Sequence, residues 1–271
     1  MTTTEFSNEF DILYNSIATN AAPEIDIYEK SVYLTKAQLE LVKNYFTAKG
    51  NKYQEGFEFT TKRRNDLKQL IKQYETELTF DNNNLSLISD DSVVFQIPND
   101  ILFIIFEQAV LGLNPTRLAP IESDQDLIDL QELFRKYECI DNLRVNVKPK
   151  SYDEINVQKD NPFKKPSKSL VWRVDYSNLN SFGQNVELIT EYPIKKYILR
   201  YIKNPNPIIL RNLNEEFPGE GLSINGKIAE ATSELDESVH PEILDRAVEL
   251  AMADYKPEML GIKAQMSSRN E

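Results

Sequence analysis

Histidine and cysteine are almost missing from this sequence: His240 and Cys139 each stand alone among 271 residues. A lone cysteine closes no intramolecular disulfide and builds no multi-cysteine zinc site, so the fold must be held by packing. A catalytic triad or a histidine metal cluster likewise needs partners that one histidine does not supply. Glycine is scarce as well, with eight residues in the chain, and no GxGxxG or GxSxG occurs. Gly226-Lys227 lacks the upstream glycine and downstream Ser or Thr of a phosphate loop. Long apolar runs are absent: Ile101 to Phe106 is broken by Glu107, far short of the roughly 20 residues of a membrane helix. The start, MTTTEFSNEFDILYN, has neither the basic opening nor the apolar stretch of a signal peptide, so secretion by that route is not expected. Basic side chains are outnumbered, 31 against 43 acidic, for a formal charge of −12. Such a field repels phosphates and anionic lipid and disfavours nucleic-acid groove binding.

What is present reads as α+β, with helices at the N- and C-terminal ends and a central antiparallel or mixed β region. Phe6, Phe10, Leu13 and Ile17 recur at helical spacing and predict a helix over about Thr4 to Thr19, before Pro23. Thr35 and Gln38 form a capping-box pattern, with Leu34 and Leu39 as a hydrophobic staple and Gly50 beyond the end, which predicts a second helix starting there. Thr61 to Glu75 reads as a third, more polar helix carrying Leu67, Leu70, Ile71 and Tyr74 on one side. Short β-prone runs follow at Leu78 to Phe80, Leu85 to Ile88 and Val93 to Ile97, closed by Pro98. Ser123 to Phe134 reads as a short helix, and Leu143 to Val147, Leu170 to Tyr176, Val186 to Thr190 and Tyr197 to Ile202 as strands. Asn225-Gly226, between Leu222 to Ile224 and Lys227 to Ala229, suits a tight hairpin. Pro241 opens a last helix with Ile243, Leu244, Ala247, Val248, Leu250 and Ala251 on its apolar side. The expected division is an N-terminal helical region at 1–75, an α+β body at 76–254 and an extended C-terminal arm at 255–271.

Few residues invite a chemical role. His240, directly before Pro241, flanks or caps the last helix. Cys139 reads as a small packed residue rather than a nucleophile. Asp124, Asp126 and Asp129 begin like a calcium loop, but the pattern then wants a turn glycine and a late glutamate that Ile128 and Leu130 do not provide. They read as acids at a helix start. An acidic chain always holds carboxylate pairs, so a carbohydrate-binding module or glycan hydrolase is the enzymatic alternative. The basic clusters, Lys62-Arg63-Arg64 and Lys164-Lys165 with Lys168, read as docking spots for acidic neighbours. Phe163 and Trp172 lie near the second cluster. Trp172, in VWRVDY, alternates like a buried strand or subunit-interface position. No catalytic, cofactor-binding or metal-ligating residue is assigned, and no cofactor is expected.

Several stretches resemble structural proteins of crAss-like bacteriophages, in particular their head–tail connector and tail ring proteins. They are EFSNEFDILYNSI with IYEKSVYLTKAQ, VVFQIPNDILFII, NPFKKP followed by VWRVDY, YILRYIKNPNPIIL, and SELDESVHPEILDRAVELA. The resemblance rests on their order along most of the chain. It implies a non-enzymatic virion subunit in a cyclic, dodecameric ring of a short-tailed phage, stacked below the portal, part of the genome ejection channel and assembled in the host cytoplasm. The implied partners are further copies, the portal and other ring or tail proteins. The genome passes without specific binding, and no membrane is involved. Another tail accessory or internal virion protein is the alternative. The resemblance assigns interaction to the quoted stretches alone: Arg200, Tyr201, Lys203, Pro205, Pro207, Ile208, Ile209 and Leu210 in one, and Asn161, Pro162, Phe163, Lys164 and Lys165 in the other. Pro205 and Pro207 cannot donate ladder hydrogen bonds, so the first segment is expected to leave a sheet, turn, and begin an exposed edge open to a neighbour. An acidic lumen is expected to keep DNA from sticking.

Overall fold

A computed structural model describes residues 1–17, 24–47, 60–77, 92–112, 142–159, 161–176 and 184–255. The elements in chain order are α1 (Thr3–Ile17), α2 (Ile27–Phe46), α3 (Thr61–Asp66), β1 (Ile71–Glu77), β2 (Ser92–Ile97), β3 (Ile101–Leu111) and β4 (Leu143–Pro149). They continue with α4 (Tyr152–Gln158), β5 (Leu170–Tyr176), β6 (Gln184–Ile189), β7 (Ile194–Lys203), α5 (Leu213–Glu216) and α6 (His240–Tyr255). The fold is thus mixed α and β, and the chain divides into two compact units: Met1–Ile71 with Asn204–Glu271, and Lys72–Lys203. No described helix is long and apolar enough to cross a membrane.

The first unit is a set of amphipathic helices closed by the returning C-terminal segment. In α1 the Thr2 hydroxyl accepts the Glu5 amide at 3.2 Å while the Glu5 carboxylate accepts the Thr2 amide at 2.8 Å. This reciprocal box satisfies two otherwise orphaned amides. Phe6, Phe10 and Tyr14 follow at four-residue spacing and are buried, as a single helix face requires. Both α1 and α2 pack on α6, whose Ile243, Leu244, Ala247, Val248, Ala251 and Met252 are buried. The second helix starts eight residues before the expected Thr35: the working capping box is Asp26 with Glu29. Thr35 and Gln38 sit in its interior, and their polar groups are used for tertiary contacts instead.

The expected third helix also changes course. It ends at Asp66, a 3₁₀ turn covers Lys68–Leu70, and β1 begins at Ile71. The spacing of Leu67, Leu70, Ile71 and Tyr74 fits a helix, yet β7 offers a backbone ladder that a helix would forgo. Polar pairs on β1 and β7 join it there, Arg200 Nε donating to Gln73 at 3.0 Å and Lys196 meeting Glu75 at 2.5 Å.

The second unit is a seven-stranded mixed sheet in the order β1-β7-β3-β4-β5-β6-β2. β3 pairs antiparallel with β4 and β7, β6 antiparallel with β2 and β5, while β4 and β5 run parallel. A parallel pair needs a crossover connection, and α4 lies in it. Register shifts interrupt the β3 to β7 ladder at three places, which bends and twists strands. One sheet face buries Phe95, Ala109, Leu111, Val145, Val171, Leu188, Tyr197, Leu199 and Tyr201 in a common core. The opposite face of β5 and β6 is covered by Ile155 of α4, packed with Trp172, Val174 and Ile189. The strands expected at 93–97, 143–147, 170–176, 186–190 and 197–202 are present within a residue or a few at their ends. The run Ile101 to Phe106 is the first part of β3, an element the sequence reading left unassigned. Asn225 and Gly226 adopt φ of 51° and 74°, and Ile224 and Lys227 exchange both backbone hydrogen bonds at 3.0 Å. The hairpin is therefore real but amounts to one bridge. The expected strands at 78–80 and 85–88, the expected helix at 123–134, Cys139, the three aspartates and residues 256–271 of the arm lie outside the described residues.

Candidate assembly surfaces

The segment after β7 leaves the sheet at Lys203, as its two prolines demand, but it does not become an exposed edge. Pro205 and Pro207 to Leu210 are buried in the first unit. The Asn206 amide donates to Glu234 at 3.0 Å, the Ile208 amide to the Thr35 hydroxyl at 3.1 Å, and the Leu210 amide to the Ser31 hydroxyl at 3.1 Å. Gln38 Nε2 donates to the Asn206 carbonyl at 2.8 Å. Ser31, Thr35 and Gln38 thus form a polar stripe along α2 that plays the part of a neighbouring strand. The match is geometric: four residues of helix rise about 6 Å, and two residues of strand about 6.6 Å. On the other side the Ile209 amide donates to the Ala231 carbonyl at 2.9 Å, and the Ile209 carbonyl accepts the Ala231 amide at 3.0 Å. Pro205 and Pro207 occupy the alternate positions before it, where a missing N–H leaves nothing unsatisfied. Of the remaining residues in this stretch, Tyr201 is buried with its hydroxyl on Asp100 at 3.1 Å, Lys203 is half-buried and Arg200 is exposed. Burial, with the nearby Asp100 carboxylate adding to it, pushes the Tyr201 phenol up to about 12.

The second stretch is placed differently. α4 starts at a capping box of Ser151 and Glu154 and is followed by a turn in which Asn161 caps its own successors. Its Oδ1 accepts the Phe163 amide at 3.0 Å, and its carbonyl accepts the Lys164 and Lys165 amides, each at 3.0 Å. Pro162, Phe163, Lys164 and Lys165 are all exposed. Lys165 pairs with Glu191 at 2.6 Å, which raises its pKa, while among the described residues Lys164 and Lys168 have no carboxylate partner. Trp172 is core, 1% exposed. In the other basic cluster Lys62 lies on Glu242 at 3.2 Å and the Arg63 guanidinium 5.3 Å from the Tyr45 ring centroid, while Arg64 is exposed and donates to the Thr61 hydroxyl at 3.2 Å.

Two buried polar arrangements escaped the sequence reading or went beyond it. Glu107 and Arg173 face each other at 3.1 Å inside the sheet core, each side chain 9% exposed, and Tyr197 donates its hydroxyl to Glu107 at 2.9 Å. The guanidinium is close without a well-directed hydrogen bond from Nε or Nη1. Burial outweighs the attraction of Arg173, so the Glu107 carboxyl lies above its usual range. The signal was available: Arg173 interrupts the alternation of VWRVDY, and Glu107 closes the apolar run of β3. His240 begins α6 as expected. Its Nδ1 lies 3.0 Å from the Met1 amine and its Nε2 3.3 Å from the Leu235 carbonyl, and its ring is 5.1 Å from that of Phe6. Burial first, then the Met1 ammonium, hold its pKa below the usual value.

What this geometry leaves in solvent is a turn held by Asn161 that bears an exposed aromatic ring and lysines. Comparison with known proteins narrows the class. The family model described as phage tail ring protein 3/4 matches residues 1–128 and 121–259. Ring protein 4/5 of Bacteroides phage crAss001 is 36% identical over 273 residues, spanning 100% of both chains. Ring protein 3 of the same phage is 38% identical over 263 residues, 97% of this chain and 100% of that protein. The chain belongs to this family of crAss-like phage ring proteins, a structural component of the virion.

Proposed function

We propose that the chain is a non-enzymatic subunit of a cyclic ring in the head–tail connector or tail of a short-tailed phage. In this reading copies of the chain close head to tail into a dodecamer, stacked with the portal and other ring proteins, and the genome leaves through the lumen. The full-length match to two ring proteins carries the reading. The net charge of −12 supports a passage to which DNA does not adhere. Exposed Arg200 and the exposed turn Pro162 to Lys165 supply surfaces that such a ring needs.

Negative-stain imaging of the purified full chain, alone and mixed with portal protein, tests this. Closed rings of uniform diameter, stacking on the portal when it is added, are expected. A monomer that engages no virion protein, or a lumen that retains DNA at physiological salt, overturns the proposal.

A further inference from the structure

Phe163 is 97% exposed, Val157 80% and Tyr152 54%. Single apolar side chains in water are ordinary, but Val157 and Phe163 stand within six residues of each other at the end of α4 and in the turn that follows it, with Tyr152 at the helix start. The mount is firm. Ile155 holds α4 to the sheet through Trp172, and the Asn161 side chain and carbonyl fix the turn. A preorganised aromatic loses little conformational freedom on binding. Charge gathers around it: between Arg144 and Arg173 eight basic residues stand against three acidic ones, in a chain whose total is −12. The remainder of the molecule is therefore strongly acidic.

We propose that α4 and its turn form the anchor by which one copy of the chain docks onto an acidic face of a second copy. The assignment presupposes the ring reading above. A head-to-tail ring joins two different patches of the same chain, and a basic patch on an otherwise acidic chain finds its complement in that chain. Phe163 and Val157 supply the desolvated centre of the contact and Lys159, Lys164 and Lys168 its charged rim, the anatomy of an interface hot spot. Duplex DNA would engage the lysines alone and leave Phe163 and Val157 in water.

Mass photometry and negative-stain imaging of the full chain separate the outcomes. Wild type is compared with Phe163→Asp and with the double variant Lys164→Glu, Lys168→Glu across a range of salt. Rings of wild type that fall to single subunits in Phe163→Asp, and whose stability to dilution drops at least tenfold in the double variant and in high salt, support the anchor. Unchanged far-UV spectra are expected, since none of these side chains belongs to the core. Rings that persist in both variants overturn the anchor and leave the ring reading standing. Wild type that stays a single subunit at every concentration overturns both.

Discussion

Replacing Thr35 by valine changes a hydroxyl for a methyl at nearly constant shape and removes the acceptor of the Ile208 amide. Thr and Val have similar helix propensities, so the helical cost largely cancels. Ile208 is fully buried, and its amide has no water to turn to. A buried donor left without an acceptor costs about 1–3 kcal/mol. At about 2 kcal/mol, the melting midpoint falls by about 4–8 °C for a protein of this size. Urea unfolding followed by far-UV circular dichroism measures the loss, and hydrogen exchange at the Ile208 amide locates it. Thr35→Ser, which keeps the oxygen, retains most of the protection. The reasoning fails if Thr35→Val stays within about 0.5 kcal/mol of wild type and the Ile208 amide exchanges no faster, because the stripe on α2 would then not be the neighbour that completes this segment.

The buried pair on β3 and β5 makes a sharper pattern. Arg173→Met leaves Glu107 alone in the core and is expected to lose about 3–5 kcal/mol; adding Glu107→Gln, which still accepts from Tyr197, recovers most of it, and urea midpoints that show no recovery refute the coupling. His240 sets a pH dependence. Its folded pKa is depressed, so its contribution is present above about 6.5 and is lost as pH falls through the folded value. Urea midpoints taken from pH 7.5 down to pH 5 are expected to fall more steeply in wild type than in His240→Gln, and equal slopes refute the assignment.

The sequence is most legible where local pattern and tertiary packing agree. α1 and α6 carry apolar residues at helical spacing, and Phe6, Phe10, Ile243, Leu244, Ala247, Val248 and Ala251 among them are buried; the strands of the second unit announce themselves by β-branched alternation. It misleads where a local signal has a second use. The capping-box pattern has more than one use: Thr2 with Glu5, Asp26 with Glu29 and Ser151 with Glu154 are true caps, while Thr35 with Gln38 is interior and serves Ile208 and Asn206. Nothing local distinguishes them, because the partners of Thr35 and Gln38 lie more than a hundred residues away. Separation along the chain likewise hides the pairing of Glu107 with Arg173 and the return of residues after 204 to the N-terminal helices.

That distinction bears on what the resemblance means. The stretch YILRYIKNPNPIIL is one of those that carry the resemblance, which assigns it an interaction role. In the fold most of its distinctive residues face inward: the prolines omit unwanted donors, and Ile208 to Leu210 are zipped between α2 and Ala231. A segment satisfied on both sides by its own unit has no ladder left to offer a neighbour. Its buried residues build the subunit itself. NPFKKP is the reverse case, with Phe163 and its lysines making little contribution to the core and standing in solvent. A ring that assembles from such subunits is therefore expected to find its specificity in exposed turns of this kind, while the buried signature only guarantees the shape on which they are mounted.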